Sequence, residues 1–229
     1  MARRLVLLAK PPLPGRSKTR LAAEIGVAAA ARVAEALLHA TITLCESIAE
    51  RSPDGDLKLV LAYTDSEDWF VPALSRAWRL IEQRGADLGE RMESVLADLG
   101  QADGDRAVLI GMDCPHMPSQ RVAEAFEALG GADAVLGPCE DGGYYLLGVR
   151  GALPDRVLEG VPWGTAAAFD RTASALEAAK LSVTCLPSGY DVDTARDLHR
   201  LVSETAADSS SRLADLARKL SGSAGPLPG

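Results

Sequence analysis

The pattern of hydrophobic and polar positions predicts strands and helices in alternation along most of the chain. Short apolar runs such as 5–9 and 108–110 lack polar alternation, which is typical of strands buried on both faces of a sheet. Longer segments between them carry apolar residues at helical spacing, most clearly 27–51. This alternation predicts an α/β fold with a mainly parallel mixed sheet and helices on both faces.

The individual elements follow from the same pattern and from turn residues between the segments. The predicted strands are 5–9, 57–63, 78–81, 107–110, 132–136, 144–149 and 182–186. The predicted helices are 18–25, 27–51, 65–76, 88–99, 119–129, 166–179 and 194–204. One domain is therefore expected over 1–205, and 206–229 is expected to add an amphipathic helix and a disordered tail.

Composition and charge narrow the classes of function. A net charge of −8 over 229 residues argues against broad binding to nucleic acid or to an anionic membrane. The four cysteines have neither metal-type spacing nor the pattern of a disulfide framework. The apolar run before Lys10 is too short for a signal sequence or a membrane span, so we expect a cytoplasmic protein. The oligomeric state stays open, with a homodimer as one option.

A basic loop follows the first predicted strand. Its three prolines remove N–H donors, which leaves the amides from Gly15 to Lys18 free to face one spot. Arg16, Lys18 and Arg20 place three cations beside those amides, and a helix begins just beyond. The combination predicts a phosphate site, and the alternative is a solvated loop. Neither a Walker A loop nor a Gly-x-Gly-x-x-Gly motif is present.

Asp113 lies just past the apolar run 108–110, in the sequence Gly-Met-Asp-Cys-Pro. A carboxylate at the carboxyl end of a strand, near a phosphate loop, is suited to hold Mg²⁺. A turn role is the alternative. The segments 10–20, 83–91 and 111–118 all follow predicted strands, where ligands bind in doubly wound sheets.

Two further segments carry candidate residues. Asp141, Gly142 and Gly143 form either a hairpin turn or, with Tyr144, a surface against an acceptor substrate. Trp163 either lines an acceptor pocket or is a tryptophan of the core or of a lid.

Asp191 and Asp193 share one side of an extended segment, because alternate residues point the same way. They are candidates for a second metal ligand beside Asp113, although helix capping is the commoner use of such a sequence.

The segments 9–21, 87–92, 111–115, 137–148 and 191–198 together resemble the DUF2064 family, over about 4–200. That family, often labelled "transferase 1" or glycosyltransferase, belongs to the GT-A superfamily of nucleotide-diphospho-sugar transferases. The resemblance implies a single GT-A, Rossmann-like domain and a transferase activity.

More distantly, the basic loop is similar to that of 2-phospholactate and molybdenum-cofactor guanylyltransferases, in which it grips a triphosphate. This resemblance implies that Lys10, Arg16 and Lys18 hold phosphates. It implies Asp113 as the principal ligand of Mg²⁺ (or Mn²⁺), with Asp193 or Asp191 as the second. The residues implied to lie near the nucleobase are Gln83, Gly85, Leu88 and Gly89.

Two departures limit this comparison. Asp-Gly-Gly-Tyr-Tyr replaces the Gly-Thr-Asn of the phospholactate enzymes, so their acceptor does not carry over. The metal motif is Met-Asp-Cys rather than the Asp-x-Asp of many glycosyltransferases.

Three functions fit the sequence. The favoured one is nucleotidyl transfer from a nucleoside triphosphate to a small phosphorylated or sugar acceptor, with Lys18, Arg16 and Asp113 as catalytic residues. The second is glycosyl transfer from a nucleotide sugar, with Asp141 as the candidate base. The third is a nucleotide-binding module without turnover.

Overall fold

The fold is built on a central sheet that contains every described strand. The computed structural model describes residues 1–52, 55–65, 74 and 78–206. These residues form a seven-stranded sheet in the order β3-β2-β1-β4-β6-β5-β7. The strands are β1 (Arg3–Ala9), β2 (Leu57–Tyr63), β3 (Arg79–Glu82), β4 (Arg106–Gly111), β5 (Ala134–Pro138), β6 (Tyr144–Arg150) and β7 (Val183–Cys185).

Helices cover both faces of this sheet. They are α1 (Thr19–Ile25), α2 (Val27–Glu50), α3 (Leu88–Leu99), α4 (Gln120–Ala128), α5 (Ala168–Ala178) and α6 (Ala195–Ala206). Alternate residues of β1 point to opposite faces, so Leu5 and Leu7 pack with α2 and α4, whereas Val6 packs with α3 and α5. The predicted mainly parallel mixed sheet with helices on both faces is confirmed.

The strand register decides where the polar loops meet. β1 pairs in parallel with β2 and β4, and Leu8 lies opposite Gly111. The loops that follow β1 and β4 therefore begin side by side at the carboxyl edge of the sheet. β6 is antiparallel to both of its neighbours, β4 and β5. This reversed strand brings the loop between β5 and β6 toward the same edge.

α2 is the described helix that is long and apolar enough to cross a membrane, with a mean hydropathy of 1.4. Half of that stretch is buried inside the protein. Its residues Leu38 and Ile42 pack against the sheet, and Val33 and Leu37 pack against α6. Two buried sides of this kind are the pattern of a core helix in a globular domain.

The observed boundaries differ from the predicted ones by at most two residues, at the ends of both strands and helices. β3 and β5 begin later than predicted. Thr194 caps α6 as its sequence suggests, since its hydroxyl accepts from the Asp197 N–H at 3.3 Å and Asp197 accepts from the Thr194 N–H at 2.8 Å. Most of the predicted helix 65–76 and the predicted C-terminal helix and tail after residue 206 lie outside the described residues.

Asp133 joins the edge strand β7 to the rest of the sheet. Its carboxylate accepts from the Ser182 hydroxyl at 2.6 Å, from the Ser182 N–H at 3.0 Å and from the Arg150 guanidinium at 2.6 Å. The Ser182 hydroxyl and the Arg150 guanidinium hold the pKa of Asp133 well below its ordinary value.

We therefore expect Asp133→Asn to lower the free energy of unfolding at pH 7 by about 1 kcal/mol, since the carboxylate is partly exposed. A carboxyl whose pKa is lowered by folding stabilises the protein above its unfolded pKa of about 3.9, and the contribution is lost as the pH falls further. The difference from the wild type, measured by urea unfolding, should thus shrink below about pH 4. Asp103→Asn, in an exposed turn, is the matched control. A difference that does not change with pH would contradict the role given to the carboxylate.

Candidate active site

The candidate site is a cavity of about 320 Å³ at the carboxyl edge of the sheet. It lies beyond the ends of β1 and β4, which is where doubly wound sheets bind ligands. The polar residues that line it come from six different parts of the chain. They include Lys10, Gln83, Arg91, Asp113, Tyr144 and Asp191.

At one side of the cavity the Lys18 ammonium lies between two carboxylates. Its Nζ atom is 2.7 Å from Asp113 Oδ1 and 2.7 Å from Asp193 Oδ1. The Lys18 side chain is 3% exposed, whereas those of Asp113 and Asp193 are 27% and 34% exposed. Lys18 precedes α1 in the left-handed backbone region, with φ 50° and ψ 48°. This conformation is uncommon for a residue with a side chain and turns Lys18 inward.

The charges of this triad stabilise one another. Burial opposes protonation of Lys18, but Asp113 and Asp193 outweigh it and raise the pKa of Lys18 above its ordinary value. Burial likewise opposes ionisation of Asp193, yet Lys18 outweighs it, with help from Arg20 and Lys10, and lowers the pKa of Asp193. Lys18 and Asp193 are therefore both charged at neutral pH.

A backbone hydrogen bond holds the segment of Asp191 and Asp193 beside Asp113. The N–H of Val192 donates to the Asp113 carbonyl at 3.1 Å, and the Val192 side chain is fully buried with residues of α1, α2 and α6. The structure therefore brings Asp113, Asp191 and Asp193 together, as predicted. The same segment also caps α6, which was the alternative role that the sequence offered for it. Burial raises the pKa of Asp191 to about 6, and the nearby Asp113 charge adds to this shift.

The pair Asp113 and Asp193 has the chemistry of a site for a divalent cation. The two carboxylates already flank a positive charge, and carboxylate oxygens are the ligands that Mg²⁺ and Mn²⁺ prefer. Asp113 Oδ1 is buried against the Lys18 ammonium, whose Nζ atom lies 2.7 Å away. A divalent cation between these carboxylates would replace the ammonium of Lys18.

The basic loop is arranged differently from the prediction. The N–H groups of Arg16 and Ser17 both donate to the Leu13 carbonyl, at 3.1 and 3.3 Å. The predicted set of free amides is therefore wrong at these two positions, because the proline-rich segment closes into a tight turn that consumes them. Gly15 has φ +75° and permits this turn.

The cations of this loop divide into two groups. Lys10 is exposed and lines the cavity, and Lys10 and Arg20 both lie close enough to Asp193 to lower its pKa. Arg16 instead forms an exposed ion pair with Asp65 at 3.2 Å. Lys10, Lys18 and Arg20 thus converge on the carboxylates, whereas Arg16 does not in this conformation.

On the side of the predicted nucleobase contacts, Gln83 and Leu88 line the cavity. The Gln83 amide donates to the carbonyls of Ala9 and Ala62, at 3.1 and 2.7 Å, and so ties the ends of β1 and β2 together. Gly89 packs closely against Leu158 and Trp163 and has no room for a side chain. Gly85 and Gly89 are not among the residues that line the cavity.

On the predicted acceptor side, Tyr144 lines the cavity and Trp163 packs behind it, with ring centroids 6.1 Å apart. Asp141 accepts from the Gly143 N–H at 2.9 Å, and Gly142, with φ +87°, packs against Ala166. These two contacts are those of a turn, which was the alternative to a substrate-binding role for this segment. Asp141, Gly142, Gly143 and Trp163 lie outside the cavity lining.

Two features of the site were not predicted. Arg91 lines the cavity, and its Nε donates to the Gly85 carbonyl at 3.2 Å. Arg91 belongs to the family-like segment 87–92, which was the available signal. Cys114 and Cys139 both donate to Asp191 Oδ1, at 2.6 and 3.3 Å. Their separation along the chain gave no indication of this contact.

Comparison with known proteins supports the fold. A family profile described as "uncharacterized protein conserved in bacteria (DUF2064)" matches residues 47–165. A Desulfovibrio desulfuricans G20 protein provisionally named a nucleotide-diphospho-sugar transferase is 30% identical, with a TM-score of 0.79 over 97% of each chain. No curated protein matches the chain.

Two solved structures of lower identity share the fold. CMP:2-keto-3-deoxy-manno-octonic acid synthetase complexed with CTP has a TM-score of 0.58 at 13% identity, over 91% of this chain and 100% of that one. Rv0371c of Mycobacterium tuberculosis H37Rv, in complex with manganese, has a TM-score of 0.50 at 15% identity, over 87% of this chain and 97% of that one. The expected GT-A, Rossmann-like fold is therefore confirmed.

We expect Lys18→Met to lower the free energy of unfolding by about 2 kcal/mol in metal-free buffer, because it leaves two carboxylates facing each other without a cation. The loss is set below the 3–5 kcal/mol of a fully buried pair because both carboxylates are partly exposed. Mn²⁺ should raise the melting temperature of this variant more than that of the wild type, since the ion takes the place of the ammonium. Lys10→Met, at an exposed position of the same loop, is the control for stability. Equal shifts with Mn²⁺ in wild type and Lys18→Met would count against a cation position between the carboxylates.

Proposed function

The chain belongs to the DUF2064 family, and from this membership and the site we propose that it is a metal-dependent nucleotidyltransferase. It would transfer the nucleotidyl group of a nucleoside triphosphate to a small phosphorylated or sugar acceptor and release pyrophosphate. The observation that carries the proposal is that Lys18 contacts both Asp113 and Asp193 beside the cavity, with Lys10 and Arg20 close to Asp193.

Attack at the α-phosphorus builds negative charge along the whole triphosphate, and catalysis depends on groups that are already placed to stabilise it. Lys10 lines the cavity, and Arg20, like Lys10, lies close enough to Asp193 to lower its pKa, so both would bind phosphate oxygens. Lys18 would contribute in a different way, by holding both carboxylates in place before the substrate arrives and by contacting phosphates once the carboxylates bind a metal ion. Arg16 would have to leave Asp65 in order to join them, which its exposed position permits.

Asp113 and Asp193 would hold Mg²⁺ or Mn²⁺, with Asp191 next to them. When bound, the metal ion would neutralise charge on the phosphate oxygens and on the pyrophosphate leaving group. The manganese in the Rv0371c structure and the CTP in the synthetase structure support this choice of metal and substrate class, because both proteins share the fold.

The cavity side formed by Tyr144 is the proposed acceptor region. A phosphorylated acceptor that attacks through a phosphate oxygen carries its own nucleophile and needs no general base, unlike a sugar hydroxyl. This fits the lining of the cavity, in which Asp141 does not take part.

Glycosyl transfer from a nucleotide sugar is the second candidate, and the provisional name of the 30% identical Desulfovibrio protein favours it. An inverting glycosyltransferase would need a base near the sugar. Asp141 instead accepts a hydrogen bond within its own turn, which makes this candidate the weaker one.

The reaction is tested by incubating the chain with Mg²⁺, each of four nucleoside triphosphates and a panel of sugar phosphates, and measuring pyrophosphate release. We expect release with one triphosphate, and we expect Asp113→Asn to lower the rate by at least about a hundredfold, as is typical for loss of one preorganised charge contact. Arg16→Ala should lower it by about a hundredfold if Arg16 joins the phosphates. Asp103→Asn, in an exposed turn, should not change it.

The same assay separates the alternatives. Release of a nucleoside diphosphate from UDP-glucose or GDP-mannose, without pyrophosphate from any triphosphate, would establish glycosyl transfer instead. Stabilisation against heat by a nucleotide without turnover of any donor would indicate a binding module and would overturn both enzymatic proposals.

A further inference from the structure

Two thiols and one carboxylate meet behind the proposed phosphate site. The Sγ atoms of Cys114 and Cys139 and one carboxylate oxygen of Asp191 all lie within 4.8 Å of one another. From this juxtaposition we propose that Cys114, Cys139 and Asp191 form a second metal site, specific for a thiophilic divalent cation such as Zn²⁺. This proposal is independent of the reaction proposed above.

The donor set selects the class of metal. Two thiolates and a carboxylate are ligands for Zn²⁺, Cd²⁺ or Co²⁺, whereas Mg²⁺ takes oxygen ligands almost exclusively. The all-oxygen pair Asp113 and Asp193 would therefore bind the hard ion, and the cysteine cluster the soft one. Asp191 lies between the two sites.

The distances require only a small adjustment. In a tetrahedral zinc site the bond lengths place a sulfur and an oxygen ligand roughly 3.5 Å apart. Asp191 Oδ1 is 3.3 Å from Cys139 Sγ and 2.6 Å from Cys114 Sγ, so the latter would have to move outward by less than about 1 Å. The Tyr190 carbonyl, 3.0 Å from Cys114 Sγ, is an alternative acceptor for the single proton of that thiol.

The cluster can be reached from solvent. Cys114 and Asp191 both line the cavity of the candidate active site, and Cys114 also lines a second cavity of about 300 Å³ on its other side. A metal ion can enter through the first cavity and keep one coordination position open toward it. Such a three-ligand site with an open position is the arrangement of a reactive rather than a purely structural zinc site.

Binding is balanced by release of protons. Each thiol that becomes a ligand loses its proton to solvent, and the ion gains two S–M bonds and one O–M bond without any change of oxidation state. Cys114 and Cys139 both donate their S–H groups to Asp191 Oδ1. A bound ion would take the place of these two protons and would be coordinated by both sulfurs and by the same oxygen.

The probe for the test is Cd²⁺, added to the reduced, metal-free full chain in excess Mg²⁺. We expect an ultraviolet thiolate-to-cadmium band that saturates at one ion per chain. Cys114→Ser and Cys139→Ser should each weaken Cd²⁺ binding by at least about tenfold, as expected for loss of a ligand. Cys185→Ser, at the exposed cysteine of β7, should leave the band unchanged.

A second measurement needs no variant. The X-ray absorption spectrum of the zinc-loaded wild-type chain should show two sulfur ligands together with oxygen ligands. A shell of oxygen and nitrogen alone, a band that disappears in Cys185→Ser, or a band that millimolar Mg²⁺ abolishes would overturn the proposal.

Discussion

The position of the Lys18 ammonium between Asp113 and Asp193 is the interaction on which the candidate site depends. The three residues come from three distant parts of the chain, with 175 positions separating Lys18 from Asp193. A lysine that is 3% exposed would be costly to bury without compensation, and two carboxylates so close together would repel each other without it. The three segments that carry Lys18, Asp113 and Asp193 are therefore tied to one another by the same electrostatic balance.

The sheet makes that balance possible. The parallel register of β1 with β4 sets the loops carrying Lys18 and Asp113 side by side, and the buried side chain of Val192 anchors the segment carrying Asp193. The antiparallel β6 then closes the far side of the cavity with Tyr144. The positions of the polar residues thus depend on the apolar packing of the sheet and of Val192, because packed cores hold loop positions more firmly than surface contacts do.

The same loops hold two kinds of donor at short range. The carboxylate oxygens of Asp113 and Asp193 face Lys18, and the Cys114 thiol contacts the neighbouring Asp191. Asp191 also has the raised pKa of a buried carboxyl next to another carboxylate. Perturbed carboxylates in a cleft are characteristic of functional sites.

The sequence by itself determined the strands, the helices and the segments that carry polar chemistry at strand ends. Apolar runs and helical spacing are local properties, so they predicted β1, α2 and α3 within a few residues. Lys18 and Asp113 were also identified as candidate site residues, because both lie in segments that follow apolar runs.

Only the tertiary structure decided which of these residues meet. In the folded chain Asp193 contacts Lys18, and Arg16 pairs with Asp65. The amides of Arg16 and Ser17 form hydrogen bonds within a turn. The tertiary structure also joins Cys114 to Cys139 through Asp191. These contacts depend on strand order and on loop conformation, and neither is encoded in the spacing of residues along one segment of the chain.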